Sequence, residues 1–133
     1  MKFMSEEWVH AYCKALNDNP KYEKAAATWE GDFVFIAIEH PDAPDGTLRM
    51  YMDLWHGKCR KAIYMNDPDK PAEFVITGTF EEWIKVAKKE LDPIQGMMVG
   101  KLKLEGDMTK IMRATKAAVE LVNTITLMEG LTF

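Results

Sequence analysis

The hydrophobic positions of the chain follow two periods, and the switches between them mark out its elements. Behind Ser5, a good N-cap, and the acidic pair Glu6–Glu7, which suits the positive end of a helix, Trp8, Val9, Tyr12, Cys13 and Leu16 recur on one stripe. This predicts a helix over 5–17. Asn19 and Pro20 repeat the cap-and-first-turn chemistry for a short second helix through Ala25, Ala26 and Ala27. From Asp32 the period becomes two: Phe33, Phe35 and Ala37 alternate with Val34, Ile36 and Ile38, a strand apolar on both faces that stops at the loop His40–Gly46. Leu48, Met50, Met52 and Leu54 then alternate with Arg49, Tyr51, Asp53 and Trp55, and His56-Gly57 turns the chain into Lys58–Met65, which reads as a hairpin.

Beyond a polar loop with Pro68 and Pro71, Glu73–Gly78 predicts a fourth strand with Phe74 and Ile76 on one face. Thr79-Phe80-Glu81-Glu82 is a capping box, opening a helix with Trp83, Ala87 and Leu91 on one side and Lys85, Lys88 and Lys89 on others. Asp92-Pro93 starts a short helix through Met97 and Met98, Gly100 ends it, and Lys101–Glu105 alternates as a fifth strand with Leu102 and Leu104 inward. Gly106-Asp107 caps a last helix whose stripe of Met108, Ile111, Met112, Thr115, Val119 and Val122 runs toward Gly130. Past Ala117 so few polar positions remain that this half of the helix needs cover. Strands in runs flanked by helices point to an α+β layer rather than a doubly wound sheet. At 133 residues the expectation is a single domain spanning 1–133, large enough to build a core without a metal or disulfide staple.

Charge and composition narrow the function. With 17 basic and 21 acidic residues the net charge is −4, which argues against a nucleic-acid partner. The two cysteines, Cys13 and Cys59, have no Cys-x-x-Cys spacing and read as free thiols in a reducing compartment. The start of the chain has no apolar run of signal-peptide type and no stretch is long enough to span a bilayer, so the expectation is a cytoplasmic, soluble protein.

Catalytic chemistry is hard to place. His10, His40 and His56 lie on a helix, a loop and a turn, without metal-ligand spacing. Glu81-Glu82 is explained by the helix N-terminus, and neighbours on a helix do not face each other. No nucleophile elbow, phosphate-binding loop or dinucleotide fingerprint occurs, and the one serine, Ser5, is spoken for as a cap; no cofactor is expected. Cys59 beside Lys58, Arg60 and Lys61 has a basic setting that could lower a thiol pKa, but no histidine partner is evident. Lys85, Lys88 and Lys89 read as a solvated helix face, with transient contact to anionic lipid headgroups as the alternative.

One run of residues carries a resemblance. Asp92-Pro93 followed by Met97-Met98-Val99-Gly100-Lys101-Leu102-Lys103-Leu104-Glu105-Gly106-Asp107-Met108 is similar to the signature of the sterol carrier protein family of lipid-binding domains. Phe33-Val34-Phe35, Met50 to Gly57 and Phe74-Val75-Ile76-Thr77 fall where that family has strands, so the likeness covers roughly residues 25 to 125. The resemblance implies a five-stranded, largely antiparallel sheet covered by helices, with an apolar tunnel between sheet and helices for a fatty acid, fatty acyl-CoA or sterol, and no catalysis by the domain itself. Carried over by position, Phe33, Phe35, Met50, Met52, Leu54, Phe74, Ile76, Leu102 and Leu104 would face the tunnel. The family often has aromatic residues where this chain has Met97 and Met98, and some members end in a peroxisomal tripeptide that Leu131-Thr132-Phe133 does not match.

Composition supports the same idea from another side. Of ten methionines, those at 50, 52, 97, 98, 108 and 112 crowd the predicted inner faces, where flexible thioethers suit either a core or a pocket accepting varied chains. With Ile111, Met108 and Met112, the apolar half of the last helix, Val119, Val122 and Ile125, would line or close the tunnel and serve as wall and lid. Two alternatives stand beside a non-catalytic lipid carrier. One is a small enzyme acting on an acyl thioester through Cys59 or a carboxylate; the other is a dimerisation module using the face of Val34, Ile36 and Ile38, which would make the protein a homodimer.

Overall fold

A computed structural model describes residues 1–133. The helices are α1 (Glu6–Asn17), α2 (Pro20–Ala25), α3 (Phe80–Ala87), α4 (Pro93–Met98), α5 (Met108–Arg113) and α6 (Thr115–Leu127). The strands are β1 (Glu30–Ile38), β2 (Leu48–Trp55), β3 (Lys58–Met65), β4 (Phe74–Thr79) and β5 (Lys103–Glu105). They form one sheet in the order β3-β2-β1-β4-β5, antiparallel throughout except for the parallel pair β1/β4. The α+β class and the five-stranded, largely antiparallel sheet are as the sequence implied.

Local chemistry accounts for most element ends. Ser5 accepts from Trp8 N at 3.2 Å, Thr79 from Glu82 N at 3.0 Å, and Asp92 from the backbone of Ile94 and Gln95 at 2.9 and 3.0 Å. His56 and Gly57 both take positive φ, 49° and 77°, as a two-residue hairpin turn requires. Register then puts the alternating apolar residues on one face: Phe33 opposes Met52 and Phe74, Phe35 opposes Met50 and Ile76, and Ile76 opposes Leu104. Helices α1, α2, α3 and α6 pack over this face. The two ends of the chain meet, Phe3 N donating to Thr132 O at 2.8 Å, which seats the Phe3 ring against Trp8.

The structure corrects four sequence expectations. Cys13 and Cys59 are joined in a disulfide, not free, because α1 lies against β3 and brings their Cα atoms to 5.4 Å; the thiols therefore give no argument for a reducing compartment. The last helix is broken at Ala114 (φ −102°, ψ 30°), where the Thr115 hydroxyl donates to Met112 O at 2.7 Å and competes with the helical ladder. The fifth strand begins at Lys103, since Leu102 N turns back to Gly96 O at 3.1 Å. The outer face of β1 is only partly open. Val34 is buried and Ile38 exposed, and the segment crossing from β3 to β4 lays Lys70 Nζ 4.2 Å from the Tyr51 ring centroid on that same side.

Candidate functional site

Between the sheet and its helical cover lies a cavity of about 110 Å³ lined by 23 residues, 22 of them apolar or aromatic and the other Pro93. Its floor is Phe33, Phe35, Met50, Leu54 and Ile76 of the sheet. An aromatic ladder stiffens that floor: Phe33 stacks on Phe35 at 5.2 Å and on Phe74 at 5.3 Å, and Trp83 meets Phe35 edge-on at 5.8 Å. The walls come from Trp8 and Tyr12 on α1, Tyr22 on α2, Trp83 and Val86 on α3, Met97 on α4, and Ala117, Ala118, Leu121, Val122 and Ile125 on α6.

Outside this cavity, a surface groove of about 210 Å³ runs between α3–α4 and α6. Val86, Pro93, Ala118 and Val122 line both spaces, so the wall between them is one side chain thick. The groove adds the polar groups the cavity lacks, among them Lys89, Asp92, Thr115 and Asn123.

The two halves of α6 are held differently. Tyr12 donates its hydroxyl to Leu121 O at 2.7 Å, and Asn19 Nδ2 donates to Thr124 Oγ1 at 2.9 Å with both side chains buried. These bonds fasten the C-terminal half to α1 and α2. The N-terminal half starts at Ala114 without a side-chain cap and borders the groove. Burial raises the Tyr12 phenol well above its ordinary pKa, with Tyr22 adding to the effect, and burial raises Tyr22 likewise, so both phenols stay neutral at any physiological pH.

Of the residues the sequence and the resemblance singled out, the cavity brings together Phe33, Phe35, Met50, Leu54, Ile76, Met97, Leu102, Ile111, Val122 and Ile125. Met52 and Phe74 are fully buried beside it in the core, and Leu104 packs partly buried against that core. Met108 is half-buried, while Met98 and Met112 face solvent at 58% and 47% exposure. Val119 lines the outer groove instead of the cavity. Phe3, Met4, Trp8, Tyr12, Tyr22 and Trp83 were not assigned to the site from sequence. Their signal was present, since Trp8, Tyr12 and Trp83 sit on the apolar stripes of their helices, but a stripe does not distinguish cavity wall from solid core. The three histidines remain apart: His40 lies tilted at 47° against the Phe80 ring at 4.1 Å, and His56 pairs with Glu30 at 2.6 Å. No three His, Cys, Asp or Glu side chains converge as a metal site. Cys59 is bonded to Cys13 and offers no thiol for the nucleophilic role weighed for it.

Comparison with known proteins decides the lineage. The profile of the SCP-2 sterol transfer family matches residues 9–118. The chain belongs to this family. Among solved structures similar to it, the crystal structure of a sterol carrier protein 2 shares 32% identity at a TM-score of 0.81, covering 92% of this chain and 96% of that one. A solution structure from Thermus thermophilus, described as possibly a sterol carrier protein, shares 35% identity at a TM-score of 0.82, covering 94% of this chain and 88% of the other. The fold alone also recurs in a sec-alkylsulfatase of Pseudomonas, at 15% identity and a TM-score of 0.55, where it occupies 15% of that chain. No curated protein matches. No helix of this family member is long and apolar enough to cross a membrane.

Proposed function

We propose that the domain binds a lipid-like ligand, a fatty acid, fatty acyl-CoA or sterol, between sheet and helices, shelters or transfers it, and performs no chemistry on it. The observation that carries this reading is the cavity lined almost without exception by apolar side chains and separated from an amphipathic groove by a single layer. The family and the sterol carrier structure among its relatives support it. On this reading the residues in contact with ligand are those of the sheet floor together with Met97, Leu102, Ile111, Val122 and Ile125.

The volume sets a condition on how the ligand gets in. A dry cavity of about 150 Å³ is filled by one benzene, so 110 Å³ does not hold a long chain without widening. The thin wall is where it can widen: parting α4 from the uncapped N-terminal half of α6 joins cavity and groove, while the fastened half of α6 stays in place. A chain that enters replaces apolar contacts with its own, so opening is offset by burial. Ten methylenes at ~0.8 kcal/mol each give about 8 kcal/mol before association and ordering costs, which leaves affinities of about micromolar or weaker.

Titration of the delipidated protein with a fluorescent long-chain fatty acid tests the proposal and should show saturable binding in that range. Val122→Lys sets a charge at the shared wall and should weaken binding at least about tenfold, with thermal unfolding measured alongside because a buried charge is destabilising. Absence of saturable binding overturns the carrier reading; an unchanged affinity in a folded Val122→Lys protein removes α6 from the wall.

A further inference from the structure

Of the chain's four tryptophans, three are buried, and two of these satisfy their indole N–H on the backbone: Trp29 donates to Gly31 O at 3.0 Å and Trp83 to Ile36 O at 2.9 Å. Trp8, 1% exposed, does not. Its Nε1 is the one fully buried side-chain nitrogen or oxygen in the protein without a hydrogen-bond partner, and Trp8 lines the cavity. Buried donors are almost always paired in native proteins, so an orphan at the wall of a binding space has a specific meaning. The neighbours do not supply an acceptor. Tyr12 stacks flat on the Trp8 ring at 4.6 Å with its hydroxyl committed to Leu121 O, and Phe3 stands at 74° to it at 4.9 Å, offering at best a π contact weaker than a bond to oxygen.

Resting on the reading of this cavity as the ligand site, we infer that the Trp8 indole N–H receives a neutral oxygen of the ligand, a carbonyl or hydroxyl carried inside with the hydrocarbon. The charge state follows from the lining. No cationic side chain borders the cavity, so a carboxylate there would be buried without a counterion, whereas the groove outside offers Lys89 and Asn123 to a charged head. The cavity therefore selects an oxygen-bearing lipid over a plain hydrocarbon of the same length, and it does so through a single donor, since a buried N–H left unpaired discriminates more strongly than an apolar contact does.

Equilibrium dialysis of 2-dodecanone and of dodecane against the parent protein and Trp8→Phe tests this. The smaller ring changes the wall for both ligands alike, and loss of the N–H should weaken the ketone about tenfold more than it weakens dodecane. In the 15N-labelled parent, the Trp8 indole resonance should move downfield with the ketone and stay near its free position with dodecane, a measurement that needs no variant to fold. Equal losses for the two ligands, or no loss, together with an indole resonance that does not distinguish them, would overturn the role of Trp8 while leaving the cavity a binding site. If the parent binds neither ligand, the carrier reading fails first and the inference falls with it.

Discussion

Tyr51 lies on the outer face of β2, where its hydroxyl donates to Asp32 Oδ2 at 2.8 Å while Glu73 N donates to the other carboxylate oxygen at 2.7 Å. Burial first, and then this bond to Asp32, push its phenol up to about 12. Tyr12 and Tyr22 are raised in the same direction, by burial above all. A phenol that ionises later in the folded chain than in the unfolded one adds stability that is fully present below the ordinary value of about 10 and is lost as pH climbs through the folded value. The melting temperature should thus fall steeply above about pH 10 on account of these three groups. Tyr51→Phe should flatten part of that fall and, by leaving Asp32 with one bond, destabilise the neutral protein by about 1 kcal/mol. Melting curves of parent and variant from pH 7 to 12 check both; identical alkaline limbs would show that the Tyr51 phenol carries no such linkage. At the same scale Gly57 is fixed twice, by its φ of 77° and because a Cβ there would stand 2.5 Å from Glu23 O. Gly57→Ala should therefore destabilise by about 1–3 kcal/mol, read as a lower denaturant midpoint, because this glycine of the hairpin turn is buried against the backbone of α2.

Elements whose instructions are local were legible in the sequence. Caps at Ser5, Thr79, Asp92 and Asp107 are observed as hydrogen bonds, the His56-Gly57 turn joins β2 to β3, and the period-two alternation of β1, β2 and β4 gathers Phe33, Phe35, Met50 and Ile76 on one face. What was not legible depends on contacts between distant segments. The stripe from Met108 to Val122 continues across Ala114 without interruption, so nothing in the period announces the break there. Likewise Asn19 read as a cap for α2, which it is, its Oδ1 accepting from Lys21 N at 3.1 Å, but its amide also reaches Thr124 across 105 positions of sequence. Asn19→Ala should therefore do more than remove a cap: about 1–3 kcal/mol, or several degrees of melting temperature, with faster hydrogen exchange at 120–127 than the loss of a cap alone would bring. Confinement of the exchange effect to residues 19–25 would mean the bond to Thr124 does not fasten α6.

For the whole molecule, the feature with the largest leverage is the one farthest from any sequence pattern. Cys13 and Cys59 are 46 positions apart, on a helix and a strand that neither periodicity nor spacing pairs, and only the packing of α1 against β3 makes them neighbours. The bond joins the helix that supplies Trp8 and Tyr12 to the cavity wall with the strand next to β2, which supplies Met50 and Leu54 to the floor, and Asn17 reinforces the same junction by donating to Cys59 O at 2.9 Å and accepting from Cys59 N at 2.8 Å. A crosslink closing a loop of this length lowers the entropy of the unfolded chain by an amount worth about 4 kcal/mol, an upper figure because strain and residual structure reduce it. A domain of this size has a total stability of only about 5–15 kcal/mol, so the reduced protein should still fold at room temperature but melt about 10 °C lower or more. Unfolding in denaturant with a maleimide and no reductant should label neither cysteine, and prior reduction should expose both by mass. The double variant Cys13→Ser, Cys59→Ser should melt like the reduced parent, because the two share the same uncrosslinked unfolded state and the Asn17 bonds to the backbone of residue 59 survive in both. A double variant that melts with the oxidised parent would place the stability of this junction in packing and the Asn17 bonds, with the crosslink adding nothing.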